Sequence, residues 1–149
     1  MLRVGDTAPD FELPDETNTP RKLSTLLKDG PVVLFFYPAA MTKGCTAESC
    51  HFRDLAAEFA KVGAQRIGIS TDTVAKQKEF SDKHAFDYPL LSDADGTVSK
   101  AFGVKRSIDL LRVKRSTFVI GTDMVLIDVI SSELNMNVHA DKALAALGG

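Results

Sequence analysis

Short apolar runs alternate with amphipathic segments along the chain, and this alternation predicts the order of its elements. Residues 32–37 (VVLFFY) are wholly apolar or aromatic, which predicts a buried central strand. Residues 65–70 predict a second buried strand, and between the two a helical pattern begins after Gly44 and runs to about Val62. Two buried strands joined by a helix predict a parallel β-α-β unit with a right-handed crossover.

The rest of the chain adds weaker patterns of the same kinds. Residues 116–120 and 125–129, joined by a turn that starts at Gly121, predict an antiparallel hairpin. The other predicted elements are a short strand at 10–13, a helical turn at 23–28, a helix at 73–84, a short helix at the end of 92–102, and a closing helix at 138–147. We therefore expect one α/β domain over residues 1–149, with a mixed central β-sheet and helices on both faces.

Composition narrows the classes of function. The chain has 149 residues, of which 44% are apolar and 26% charged, as in soluble globular proteins. A net charge of −2 and the lack of a basic block argue against a nucleic-acid partner. The longest apolar run, residues 32–37, is too short to span a membrane, and residues 1–15 lack the apolar core of a signal peptide. We expect a cytoplasmic protein whose thiols are kept reduced.

Both cysteines of the chain lie five positions apart in PAAMTKGCTAESC, residues 38–50. Cys45 falls in the first turn of the predicted helix, where free backbone N–H groups and the positive end of the helix dipole favour a thiolate. Along an ideal helix, five residues separate two Cα atoms by roughly 8.7 Å, whereas a disulfide needs about 7 Å or less. Cys45 and Cys50 therefore cannot bond while the helix is intact, so a disulfide between them requires its first turns to unwind.

The pair also has plainer explanations. A static structural disulfide conflicts with the helical spacing of the two cysteines. A metal site would need further ligands, but Cys50, His51, His84 and His139 do not match the spacing of zinc sites. The absence of C-x-x-C disfavours a general disulfide oxidoreductase. A catalytic thiol, a redox sensor that passes its disulfide to a partner protein, and a structural or binding module with inert thiols remain open.

The residues around Cys45 carry a resemblance to a known family. Pro38, Thr42 and Cys45 are spaced as P-x-x-x-T-x-x-C, which resembles the active-site motif of the peroxiredoxins. The C-x-x-x-x-C spacing resembles their bacterioferritin comigratory protein or Q-type subgroup. VGDTAPDFELPD, SDADGTVSKAFGV and KRSTFVI also resemble family segments, in family order, so the resemblance covers most of the chain. It implies a thioredoxin-like fold with an N-terminal peroxiredoxin extension.

The resemblance implies a two-cysteine thiol peroxidase with an antioxidant role. Cys45 would attack hydrogen peroxide or an organic hydroperoxide and become a sulfenic acid, and Cys50 would condense with it to an intramolecular disulfide. Thioredoxin or a similar dithiol would reduce that disulfide. The sulfur performs the redox chemistry, so no metal, haem or flavin is implied. The small net charge and the lack of an apolar stripe favour a monomer or weak homodimer.

Four further residues are implied in the site, each with a plain structural alternative. Thr42 would hydrogen-bond the thiolate and the peroxide and also cap the helix, and Pro38 would shield the pocket or only end the strand. Arg115 would stabilise the thiolate and bind peroxide oxygen, or lie on the surface. Glu48 would orient Arg115, or only favour the helix N-terminus. Lys43 stands where the subgroup commonly has proline, which is expected to loosen the first helical turn.

Overall fold

The computed structural model describes residues 2–105 and 113–149, which contain seven strands and six α-helices. The strands are β1 Glu12–Pro14, β2 Pro20–Lys22, β3 Val32–Phe36, β4 Gln65–Ser70, β5 Leu90–Ser92, β6 Ser116–Ile120 and β7 Leu126–Ser131. The helices are α1 Leu23–Leu26, followed by a 3-10 turn at Leu27–Asp29, then α2 Lys43–Asp54, α3 Ala56–Lys61, α4 Val74–His84, α5 Thr97–Ala101 and α6 Asn137–Ala146. None of the helices in these two ranges is long and apolar enough to cross a membrane.

A five-stranded mixed sheet in the order β5-β4-β3-β6-β7 forms the centre of the molecule. β3 runs parallel to β4, and β4 runs parallel to β5. β6 is antiparallel to both of its neighbours, β3 and β7. The structure therefore has the mixed sheet, the parallel β-α-β unit and the late hairpin that the sequence predicts.

The elements differ from the predicted ones in several places, and one of them is β5, which was not predicted. The single helix predicted up to Val62 is two helices, α2 and α3, because the chain leaves helical geometry at Leu55 (φ −94°, ψ 20°). The N-terminal strand is β1 rather than residues 10–13, and it pairs antiparallel with β2, which no sequence pattern indicates. β2 consists of Pro, Arg and Lys and is largely exposed, so it lacks the apolar alternation by which strands are predicted.

Apolar layers cover both faces of the sheet, and consecutive residues of β3 alternate between them. Leu34 belongs to the layer that contains Val98 of α5, whereas Phe35 belongs to the layer that contains Cys45 of α2. The second layer also contains buried residues of α3, α4 and α6. The predicted arrangement of helices on both faces is therefore present, and Cys45 lies between the sheet and the helical layer that includes α2 and α6.

Candidate active site

The sulfur of Cys45 lies in the interior, next to a guanidinium group. Cys45 is the third residue of α2 and is 1% exposed, and Arg115 donates a hydrogen bond from Nη2 to its Sγ at 3.2 Å. A charge-assisted hydrogen bond and a helix N-terminus both stabilise a thiolate relative to a neutral thiol. The structure thus brings together the predicted nucleophile and the predicted cation, which are 70 positions apart in the sequence.

Strand register places Arg115 at this position. Ser116, the first residue of β6, pairs with Phe36, the last residue of β3. Arg115 therefore lies beside the end of β3, where the chain turns toward α2. Its backbone N–H donates to Glu133 Oε1 at 2.9 Å, which fixes the start of β6 to the segment that follows β7.

Glu48 accepts a hydrogen bond from the second terminal nitrogen of the same guanidinium. Arg115 donates from Nη1 to Glu48 Oε1 at 2.6 Å, and both residues are buried, at 5% and 0% exposure. Burial raises the pKa of Glu48 to about 8, against the opposing effect of Arg115. Burial lowers the pKa of Arg115, but Glu48 and Cys45 raise it, and the net direction is upward. The carboxyl group and the sulfur thus occupy two separate donors of one planar group.

The loop between β3 and α2 is anchored at the end of β4. Pro38 is buried two residues after the end of β3, and the backbone N–H of Ala40 donates to Asp72 Oδ2 at 2.7 Å. The same oxygen accepts a hydrogen bond from Ser70 Oγ at 2.6 Å. Sequence patterns do not single out Asp72, because its partner in the loop is a backbone group 32 positions away.

Thr42 occupies the N-cap position of α2 in an extended conformation (φ −79°, ψ 157°). Its hydroxyl donates to the carbonyl oxygen of Ala39 at 2.8 Å and does not bond to the N–H groups of the first turn. The predicted side-chain cap is therefore wrong, because the side chain turns back toward Ala39. Its role toward thiolate and peroxide stays a prediction. α2 begins at Lys43, so the first turn is formed without the proline of the subgroup.

His139 is a site residue that the sequence analysis missed. It is fully buried on α6, with Nδ1 2.8 Å from Thr117 Oγ1 and Nε2 2.8 Å from the carbonyl oxygen of Ser132. Nδ1 also lies 3.7 Å from Glu48 Oε2. Burial lowers the pKa of His139. The available signal was its position four residues before Ala143, on the inward side of the closing helix.

Cys50 lies in the same continuous helix as Cys45, and both cysteines are free thiols. The helical separation of roughly 8.7 Å between their Cα atoms therefore applies. Cys50 is half-buried, and burial raises the pKa of its thiol. The folded helix holds the two cysteines too far apart for a disulfide.

Two contacts from outside the helix hold α2 near Cys50. The Tyr88 hydroxyl donates to the carbonyl oxygen of Ser49 at 2.7 Å, and Arg66 donates from Nη1 to that of Phe52 at 2.9 Å. The Arg66 guanidinium also lies over the Tyr88 ring, 5.1 Å from its centroid. Because unwinding would break both hydrogen bonds, these contacts stabilise the helical form around Cys50.

Within residues 2–105 and 113–149, no group of three or more His, Cys, Asp or Glu side chains is arranged to hold a metal ion. His51, the neighbour of Cys50, instead lies with Nε2 2.7 Å from Asp141 Oδ1, which links α2 to α6 on the surface. The chemistry that this arrangement supports is that of a thiolate beside a permanent positive charge.

Comparisons with known proteins agree with this chemistry. A family model described as the AhpC/TSA family matches residues 4–129. The crystal structure of peroxidoxin BcpB from Mycobacterium tuberculosis is similar at a TM-score of 0.96 and 66% identity, over 99% of this chain and 97% of that one. Bacterioferritin comigratory protein from Xanthomonas campestris, solved in a study of its alkyl peroxide reduction activity, is similar at a TM-score of 0.87 and 31% identity, over 99% and 98%. Chloroplastic peroxiredoxin Q from Arabidopsis thaliana is 39% identical over 98% of this chain and 67% of its own length.

Proposed function

The chain belongs to the AhpC/TSA family and is a peroxiredoxin, an oxidoreductase of the peroxidase class, and from this premise we propose a two-cysteine route for it. The same matches confirm the thioredoxin-like fold implied by the sequence motifs. In the proposed route, Cys45 reduces hydrogen peroxide and organic hydroperoxides to water and alcohols. Cys50 resolves the oxidised sulfur, and thioredoxin or a similar dithiol closes the cycle.

The first step is attack of the Cys45 thiolate on the terminal oxygen of the peroxide. An S–O bond forms as the O–O bond breaks, the sulfur loses two electrons, and the departing hydroxide or alkoxide takes a proton from water. Arg115 stabilises both the thiolate and the charge on the departing oxygen, since its guanidinium is permanently positive. Thr42 Oγ1 donates its own proton to Ala39, so its lone pairs can accept the O–H of the peroxide. Pro38 shields the sulfur from solvent.

The second step joins Cys50 to the oxidised Cys45. The Cys50 sulfur attacks the sulfenic acid, an S–S bond forms, and the hydroxyl group leaves as water. Because the folded α2 keeps the two Cα atoms apart, the helix unwinds around Cys50 before the bond can form. A dithiol reductant then attacks the disulfide through a mixed disulfide and returns both thiols.

The observation that carries this proposal is the contact of Arg115 with Cys45 and Glu48. A buried cation is costly, and a cysteine that only filled the core would not require one beside it. Here Arg115 is 5% exposed, with one guanidinium donor directed at Sγ at 3.2 Å and another at the carboxyl group of Glu48 at 2.6 Å. Such an arrangement is what the attack of a thiolate on a peroxide requires.

One equivalent of hydrogen peroxide, added to the reduced protein, tests the route. We expect both thiols to disappear and mass spectrometry to find a link between Cys45 and Cys50 within one chain. Cys50→Ser should accumulate a sulfenic acid at Cys45, and Cys45→Ser should not react. Steady-state turnover with thioredoxin would support the enzyme. Unchanged thiols would contradict it, and a mixed disulfide with one client protein without turnover would favour a redox sensor.

The proposed setting is the reducing cytoplasm, where dithiol proteins return the disulfide to two thiols. The proposed working unit is a monomer or weak homodimer. Because Cys45 and Cys50 lie in one helix of one chain, the cycle needs no thiol from a second subunit.

A further inference from the structure

The buried centre contains more groups that can become negative than positive charges to balance them. The Cys45 thiolate and the Glu48 carboxylate would both face one guanidinium, that of Arg115. A net negative charge in the interior is costly unless it is paired or neutralised by a proton. The centre is therefore most stable when one proton is retained on the side of Glu48 while Cys45 is a thiolate.

The two oxygens of Glu48 have different surroundings. Oε1 accepts the hydrogen bond from Arg115, whereas Oε2 is buried and has no hydrogen-bond partner among the described residues. Oε2 lies 3.7 Å from His139 Nδ1, a distance that a small shift of either side chain would close to a hydrogen bond. A proton on Oε2 would therefore have an acceptor within reach, on a side chain that is itself fully buried.

The hydrogen bonds of His139 define which of its nitrogens carries the proton. Nε2 lies 2.8 Å from the carbonyl oxygen of Ser132, which can only accept, so Nε2 carries the hydrogen. Nδ1 of the neutral ring is then an acceptor, and it takes the hydrogen bond of the Thr117 hydroxyl at 2.8 Å. The lone pair of Nδ1 is thus shared between Thr117 and the Oε2 side of Glu48.

We propose that His139 is a positioning residue that acts through Glu48: while Cys45 is a thiolate, one proton is held between Glu48 Oε2 and His139 Nδ1, in addition to the hydrogen on Nε2. This leaves the charge of Arg115 to the sulfur and the incoming peroxide. The inference rests on the peroxidase function proposed above. When Cys45 becomes a neutral sulfenic acid, the pair releases its proton to solvent, and the Glu48 carboxylate pairs with Arg115.

The direction of the pH dependence follows from the groups that face Glu48. These are Cys45 on the same helix, Arg115 before β6, Glu133 after β7, Tyr88 before β5 and His139 on α6. Burial and Glu133 favour the neutral acid, Arg115 favours the carboxylate, and the resulting pKa of Glu48 is about 8. Above that pH Glu48 ionises and competes with the sulfur for Arg115, so the rate of Cys45 oxidation should fall.

The test is the rate constant for Cys45 oxidation by hydrogen peroxide, measured by stopped flow from pH 6 to 9.5 in the full chain. In the wild type, the rate constant should decrease with rising pH near pH 8; we call this decrease the falling limb of the pH–rate profile. Glu48→Gln should not show it. His139→Gln can donate to Ser132, but its amide oxygen is a much weaker base than imidazole Nδ1 and stabilises the protonated Glu48 less. Its limb should move to lower pH by about one unit, a tenfold change in proton affinity.

Thr117→Val is the matched variant, because it removes the competing hydrogen bond and leaves the Nδ1 lone pair to Glu48. Its limb should move to higher pH, opposite to that of His139→Gln. A purely structural role for His139 would move neither limb, or both in the same direction, and either result would overturn the inference.

A second readout does not depend on the reaction. The carboxyl carbon of Glu48, followed by ¹³C NMR in Cys45→Ser, should titrate at lower pH when His139 is replaced by Gln, or by Asn if Gln does not fold. Failure of the wild type to react with peroxide would refute the proposed function. If the wild type reacts with peroxide, but neither the falling limb nor the carboxyl titration shifts when His139 is replaced, this inference alone would be refuted.

Discussion

At the scale of single residues, the shape of one side chain connects the sulfur of Cys45 to the buried acid. Arg115 uses Nη2 for the sulfur and Nη1 for Glu48. A guanidinium has several donors in fixed directions and can serve both groups at once, whereas an ammonium group is a compact point charge. The centre therefore depends on the geometry of arginine as well as on its charge.

Replacing Arg115 with lysine separates these two properties. Arg115→Lys keeps the charge but loses the paired donors, so we expect the rate constant for Cys45 oxidation to fall about 100-fold. Stopped-flow oxidation by hydrogen peroxide measures this. Lys114→Met is the matched control, because it removes the charge of the exposed neighbouring residue and should react at nearly the wild-type rate. An Arg115→Lys protein as fast as the wild type would show that charge alone is sufficient.

At the scale of elements, three of the buried strands could be predicted from the sequence, whereas the contacts between elements could not. β3 is wholly apolar, β4 contains Ile67 and Ile69, and β6 ends in the apolar residues 118–120, so their positions follow from hydrophobicity. The break at Leu55 has no such signal, because the Phe52 carbonyl near it is bonded by Arg66, 14 positions away. Cys45 and Arg115 could be predicted from motifs. The burial of His139 could be predicted from its position on the closing helix, but its proximity to Glu48 could not, because that depends on how α6 packs against α2.

The contact between Tyr88 and α2 predicts how readily the helix unwinds. Tyr88→Phe removes the buried hydrogen bond to the Ser49 carbonyl and keeps the ring. A hydrogen bond of this kind contributes about 1 kcal/mol, so the locally unwound form should become about fivefold more populated. We expect disulfide formation with Cys50 to accelerate by that factor, and oxidation of Cys45 to sulfinic acid at high peroxide to decrease.

Mass spectrometry of disulfide and sulfinic acid over a series of peroxide concentrations measures this partition. Tyr37→Phe is the matched control, since it loses an equally buried hydrogen bond, to Gln77 Oε1 at 2.6 Å, without a contact to the α2 carbonyls. A Tyr88→Phe protein with an unchanged or larger sulfinic fraction would show that this hydrogen bond does not limit unwinding.

At the scale of the whole molecule, the site joins segments that are distant in the sequence, and two buried titratable groups connect it to global stability. Burial raises the pKa of Glu48 from its ordinary 4.5 to about 8, so between these values the folded protein holds a proton that the unfolded chain has lost. The contribution of Glu48 is therefore present below pH 4.5 and is lost as pH rises to about 8. Burial lowers the pKa of His139 below its ordinary 6.5, so its contribution has the opposite sign. Stability from His139 is lost as pH falls below 6.5.

Two variants separate these opposing contributions. His139→Gln leaves that of Glu48, so the free energy of unfolding should fall as pH rises above about 5, by up to ~1.4 kcal/mol per pH unit, and the fall should end about one pH unit lower than in the wild type because Glu48 has lost its acceptor. Glu48→Gln leaves that of His139, so the same quantity should rise up to about pH 6.5 and then level off. Urea unfolding followed by circular dichroism measures both, since the chain has no tryptophan. The pKa values of Asp10, Asp15 and Asp87 are lowered, which keeps their titration below this range. Slopes of the same sign in the two variants would show that at least one of the two groups does not exchange its proton on unfolding as the buried centre requires.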